Sequence, residues 1–200
     1  RQQRYVELIG LLVGERRASE AESAKREAEE VERQSFGKHQ LVQDLAKNNT
    51  LLTRQLEQLA AQADEISSEE VIVTDQIKLF SSNFRLARQK LEIAGLSQAL
   101  GQALLQQRNN LPRVKDFESA EKSRQQLVVE SSLRQIRNQE ERARLSDIET
   151  YVDEIMQPLS EAWQSWVRDE LHALALQRRD LLDKAIAADD SLLQALSELD

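Results

Sequence analysis

Apolar residues recur along this chain at spacings of three and four, and the longest such run lies between Val42 and Leu91. One row reads Leu45, Leu52, Leu59, Ile66, Val73, Phe80 and Ala87; the other reads Val42, Asn49, Leu56, Ala63, Glu70, Ile77, Phe84 and Leu91. Two rows of seven-residue period lie side by side on a helix, so the pattern predicts a long α-helix with a continuous packing seam. Leu45, Leu52, Leu59, Ile66, Val73, Ile77, Phe80 and Phe84 are expected to pack in it. Only Asn49 and Glu70 interrupt the rows. A buried amide finds its hydrogen bonds in one alignment only, which makes Asn49 a candidate for setting register. Glu70, in a stretch rich in serine and acid, is expected to be partly exposed.

Near Leu91 the register slips, resuming as Ile93, Leu96, Leu100 and Ala103, with Gly95 and Gly101 permitting close helix approach. The stretch RNNLP at residues 108–112 follows. Asparagine tolerates the left-handed conformation that ends helices, and proline lacks the N–H that a helix interior needs. The helix is therefore expected to reverse at Asn109, Asn110 and Pro112, so that the following residues lie antiparallel on its seam.

Upstream, residues 1–36 read as an amphipathic helix, the end of a preceding helical unit, with a weaker break around Gly37. Downstream, Val114, Phe117, Leu127, Leu133 and Ile136 mark one helix. Leu145, Ile148, Val152, Ile155, Leu159, Ala162 and Trp166 mark a final element, which Leu171, Leu174, Leu181, Leu192 and Leu199 continue in a shifted register. Pro158 predicts a kink or short break within it. The expected fold is all-α, with residues 38–200 forming elongated antiparallel helical hairpins in a coiled-coil-like bundle.

Composition sharpens this reading. The 200 residues include 5 Gly and 2 Pro, with 4% aromatic and 31% charged side chains, so turns are scarce and the helices must be few and long. The net charge of −8 is concentrated at the C-terminal end, where residues 145–200 carry four bases against thirteen acids. Such an element repels nucleic acid and anionic lipid. The chain starts at Arg1 rather than Met and is read as an excised or processed piece. Its most apolar run, residues 5–14, contains Glu7 and is shorter than the roughly 20 residues of a membrane span, so none is expected.

Candidate chemistry is sparse. With no cysteine there is no disulfide, thiolate metal site or cysteine nucleophile. His172 shares a helix face with Asp169, but no third ligand joins them, and His39 is distant in sequence. No serine sits in a glycine-flanked elbow with a histidine and an acid to serve it. The sequon at residues 48–50 falls within a helix and reads as accidental. Neither enzymatic activity, nor a metal, nor a cofactor is expected. Trp163 and Trp166 lie on one face between acidic residues; packing on a neighbouring helix is expected, and the pair is also a candidate interface.

The segments HQLVQDLAKNNTLLTRQLEQL (39–59) and GLSQALGQALLQQRNNLP (95–112), followed by QRRDLLDKAI (177–186), together resemble the N-terminal periplasmic region of the large bacterial mechanosensitive channels. These are the potassium-dependent and miniconductance members of the small-conductance superfamily. The resemblance covers about residues 40–200. It implies a periplasmic portion of an inner-membrane protein, a structural and regulatory helical extension that does not form the pore. It also implies a role in osmotic stress, the rest of the same polypeptide as partner, and a heptameric assembly. Heptads alone equally fit a cytoplasmic coiled-coil scaffold, and an upstream signal peptide with downstream hydrophobic spans would discriminate the two.

Overall fold

The computed structural model describes residues 2–94, 98–109, 114–157, 159 and 161–199. The chain is all-α, with helices α1 (Gln2–Ser35), α2 (Gln40–Ala94), α3 (Gln98–Asn109), α4 (Val114–Arg144), α5 (Ile148–Met156) and α6 (Glu161–Glu198), and no strand among the described residues. It divides into two compact units, Arg1–Ile66 with Val128–Asp200, and Ser67–Leu127.

In the larger unit the turn between α1 and α2 forms where Gly37 adopts a φ of 84°, a conformation that side chains with a Cβ disfavour. Ser35 Oγ donates to Glu32 O at 2.7 Å, and His39 Nδ1 accepts from Leu41 N at 3.2 Å, so a histidine caps α2. The two helices then run antiparallel, with Lys25 Nζ 2.7 Å from Glu57 Oε2 and Thr50 Oγ1 donating to Ala28 O at 3.3 Å. Further along, a Cβ on Gly14 would come 2.7 Å from Asp64 Oδ1, so the absence of a side chain there permits close approach. Helix α6 runs parallel to α2, tied by Lys38–Glu170 at 2.8 Å and by Asn49 against Leu174. Helix α4 runs antiparallel to α6, since Arg134 meets Asp189 while Arg142 meets Asp183. The four long helices of this unit thus alternate in direction, as in an up-down-up-down bundle.

Its apolar core gathers Val42, Leu45, Leu52 and Leu56 of α2, Leu145, Val152 of α5, and Leu171, Leu174, Leu181 and Leu182 of α6. Alanines of α1 complete it, Ala21 and Ala24 being buried where α1 crosses. Helix α5 is short, begins at the N-cap Asp147, whose carboxylate accepts from Thr150 N, and turns Ile148, Val152 and Met156 inward.

In the smaller unit, residues of α2 and α4 are linked by Arg124 Nη1 to Glu69 Oε1 at 3.2 Å. No described residue of this unit is fully buried.

Several expectations need correction. Helix α2 is described through Ala94 and α3 from Gln98, and residues 95–97, where the hydrophobic register slips, lie outside the described residues. Asn109 is the last residue of α3, whereas Asn110 and Pro112 lie outside the described residues, as does Pro158. Leu133 and Ile136 are exposed, because α4 instead turns Ser131 and Asn138 inward, seven residues apart, with buried Leu145 following at the same period just past the helix end. The seam of α2 also departs from its second row beyond Ile66. Ile77 and Phe84 are 59% and 72% exposed. The half-buried face there carries Glu69, Val73, Phe80, Asn83 and Ala87, about one residue round the helix. Two causes act together: the Arg124–Glu69 pair sets α4 on the side of Glu69, and residues 118–126 of α4 offer little apolar surface with which to cover a second row.

Candidate functional site

The α4 face that meets α6 is built from Ser131, Arg134, Asn138 and Glu141, all polar, with Leu145 following just beyond the helix end. Across from it, α6 places Arg178 and Asp189 on the face otherwise formed by Leu171, Leu174, Leu181, Leu182, Leu192 and Leu196. The inter-helical contact is therefore a chain of charge-assisted hydrogen bonds inside a leucine frame.

At one end Arg134 grips Asp189 with both Nε and Nη2, at 3.0 and 2.6 Å from Oδ1. The same guanidinium donates to Ser131 Oγ at 2.9 Å. The Asp189 carboxylate has no solvent exposure at all. Burial raises the pKa of Asp189 above the ordinary carboxylate range, and the hydrogen bonds and charge of Arg134 oppose that shift. Next to it, Gln135 Nε2 donates to Asp190 and Arg142 Nε lies 2.6 Å from Asp183 Oδ1.

Further along, Arg178 Nε donates to Glu141 while its Nη1 donates to Asn49 Oδ1 at 3.3 Å. Asn49 Nδ2 in turn donates to Leu174 O at 3.0 Å and Gln177 Oε1 at 3.1 Å. One fully buried amide thus joins α2 to α6 and, through Arg178, to α4. Slipping α2 along α6 by a turn would strip the fully buried Asn49 amide of its partners on α6, while the Arg178–Glu141 pair ties α6 to α4. Between the two networks Asn138 is buried, and its Nδ2 has no hydrogen-bond partner among the described residues.

Of the other residues singled out from the sequence, Leu45, Leu52, Leu59 and Ile66 are buried in the larger unit, while Val73 and Phe80 are half-buried in the smaller one. Glu70 is half-buried there. Trp166 is 80% exposed, so it does not pack on a neighbouring helix of this chain; the Trp163 side chain lies outside the described set. His172 Nε2 lies 3.3 Å from Glu149 Oε1 on α5, rather than acting with Asp169. No cluster of three or more His, Cys, Asp or Glu that could hold a metal occurs among the described residues.

A cavity of about 240 Å³ lies among α1, α2 and α6, walled by Leu56, Leu59, Ala60 and Ala63 with Arg17 and Lys184 at its edge. Of its polar lining, Ser191 Oγ donates to Ala187 O at 3.0 Å and Lys184 pairs with Asp180 at 2.8 Å. No helix of the described residues is long and apolar enough to cross a membrane.

No family model, curated protein or solved structure matches the chain. The residues themselves must therefore carry any functional reading.

The arrangement can fix alignment. Arg134, Glu141, Arg178 and Asp189 were not singled out from the sequence, although a signal was present. Continuing α6 from Leu171 at alternating spacings of four and three, through Ala175 and Leu182, places Arg178, and later Asp189, on the inward face. Leu196, not Leu199, then ends the row, being buried where Leu199 is only half-buried.

Proposed function

We propose that the chain is a structural and regulatory extracytoplasmic helical module of a mechanosensitive channel that serves the osmotic stress response, and that it lies outside the pore. The reading rests on the sequence resemblance, and the polar seam is the observation that supports it best. A module that passes mechanical load or holds a fixed geometry needs helices that do not slide. Asn49, Arg178 and Glu141, with Arg134 and Asp189, specify one alignment of α2, α4 and α6. The partner in this reading is the rest of the same polypeptide, assembled with other copies around a pore.

The test uses the whole protein in which these residues occur. Its coding sequence should carry an upstream export signal and a downstream cluster of hydrophobic spans. In membrane patches, deleting residues 40–200 should shift the tension at which the channel opens while leaving its unitary conductance intact. The absence of any hydrophobic span, or a change in conductance without a change in threshold, would overturn the reading.

A cytoplasmic coiled-coil scaffold is the second reading, and one observation favours it: apolar residues at heptad spacing stay exposed on the smaller unit's part of α2. A chain without export signal or spans that co-assembles through those residues would establish it.

A further inference from the structure

In the smaller unit α2 exposes Ile72, Leu79, Leu86 and Ile93, each between 47% and 81% accessible. They recur every seven residues, and so form a single apolar row along one side of the helix, about 32 Å long at 1.5 Å per residue. This row is distinct from the half-buried face around Val73, Phe80 and Ala87. A strict seven-residue period is the geometry that another helix covers by packing alongside.

The stretch is self-complementary when reversed. Turned end for end about its middle at Ser82 and Asn83, Ile72 falls opposite Ile93 and Leu79 opposite Leu86. The charges follow the same symmetry. About that middle, Glu69, Glu70 and Asp75 outnumber Lys78 in the first half, and Arg85, Arg88 and Lys90 outnumber Glu92 in the second. Reversal brings Asp75, which flanks the row, opposite Lys90, which flanks it as well. A parallel pairing would set acid against acid and base against base.

We propose that this row is a self-association surface on which a second copy of the chain docks, α2 against α2, antiparallel and related by a two-fold axis near Ser82 and Asn83. Ile72 packs on Ile93 of the partner subunit, Leu79 on Leu86 of the partner subunit, and Asp75 faces Lys90 of the partner subunit. The proposal does not rest on the functional reading above, because it concerns the pairing of the chain with itself.

Sedimentation equilibrium of the chain tests it. Wild type should dimerise reversibly, and Leu79→Glu with Leu86→Glu should weaken the dimer by at least about a hundredfold, with helix content unchanged since both positions are exposed. Lys90→Glu should weaken the dimer, and adding Asp75→Lys should restore it by exchanging the charges. The chain has no cysteine, so single substitutions report orientation cleanly: Ser82→Cys should yield a disulfide-linked dimer readily and Ile72→Cys should not. A wild type that stays monomeric up to about 500 µM overturns the proposal, as that limit excludes even a weak specific pairing. So does a double-Glu variant that dimerises like wild type, or preferential crosslinking through Ile72→Cys, which would mean parallel chains.

Discussion

Leu59 and Leu79 lie on the same helix, yet the first is 2% exposed and the second 58%. Helix α2 is equally well patterned in both units. The difference lies in what meets it. In the larger unit α1 and α6 bring alanine and leucine against α2; in the smaller one the described part of α4 offers only Ala120, Arg124 and Leu127 as half-buried residues, with Arg124 paired to Glu69. A heptad row therefore specifies a face that wants covering, and the composition of the neighbouring helix decides whether it is covered. Every fully buried described residue belongs to the larger unit, so the slowest amide exchange is expected there.

The largest effect should come from testing that difference directly. Leu59→Ala opens a hole in a packed core and should cost about 2–5 kcal/mol. Leu79→Ala, measured by urea unfolding at a concentration too low for chains to pair, should change stability by no more than about 0.5 kcal/mol. Equal costs would mean that both units are packed alike.

The charged contacts divide the same way. Asp189→Ala strips a buried carboxylate from Arg134 and should cost about 3 kcal/mol, whereas replacing both residues, Arg134→Met with Asp189→Leu, should recover most or all of that loss. In the smaller unit Asp75 and Lys78 are 3.1 Å apart but largely solvated, and Asp75→Ala should shift stability by under about 0.5 kcal/mol. If the double replacement fails to recover stability, the pair is contributing more than it costs to bury.

These contrasts locate what was legible in the sequence. The helical class follows from the shortage of turn formers and the spacing of leucines, which are local properties. So does the inward placement of Leu45, Leu52, Leu59 and Ile66. The exposure of Ile77 and Phe84 was not legible, because it depends on how α4 sits against Glu69, a contact between residues far apart in the chain. The inward turn of α4 was hidden for a related reason. Its exposed Leu133 and Ile136 are apolar and its buried Ser131 and Asn138 polar, so hydropathy points the wrong way until the partners on α6 are known. Asn49 could be flagged as an interruption, but its bonds to Leu174 and Gln177 belong to the tertiary structure.

The two polar interruptions of the α2 seam offer a finer comparison. Asn49 is fully buried in the larger unit and makes three side-chain hydrogen bonds to α6, whereas Glu70 is half-buried in the smaller one. Asn49→Ala leaves Arg178 short of an acceptor and the Leu174 carbonyl short of a side-chain donor, and should cost about 1–3 kcal/mol. Glu70→Ala should have an effect near zero by the same thermal or urea unfolding. A comparable loss at both would mean that Glu70 also anchors a contact.

The smallest expected effect concerns helix starts, and it is read through pH. Asp147 caps α5, where its carboxylate accepts from Thr150 Oγ1 at 2.7 Å and from Thr150 N at 3.2 Å; α3 of the smaller unit has no acid in its first turn. The hydrogen bond from the Thr150 hydroxyl, followed by that from the backbone N–H, lowers the Asp147 pKa. A carboxyl whose folded pKa is depressed gives stability that is present above its unfolded pKa, about 3.9, and is lost as pH falls through the folded value. Asp189 has the opposite sign. Its pKa is raised by burial, so its contribution is full below the unfolded pKa and is lost as pH rises through the folded one. Asp147→Asn keeps an amide oxygen to cap the helix and removes only the titration. The urea midpoint of wild type should therefore fall toward that of Asp147→Asn as pH drops below about 4. Against Asp189→Asn, acidification should move wild type the other way, its relative stability rising as the buried carboxylate takes up its proton. Curves that stay parallel between wild type and Asp147→Asn across this range would mean that the cap holds α5 by geometry alone, with no part played by its charge.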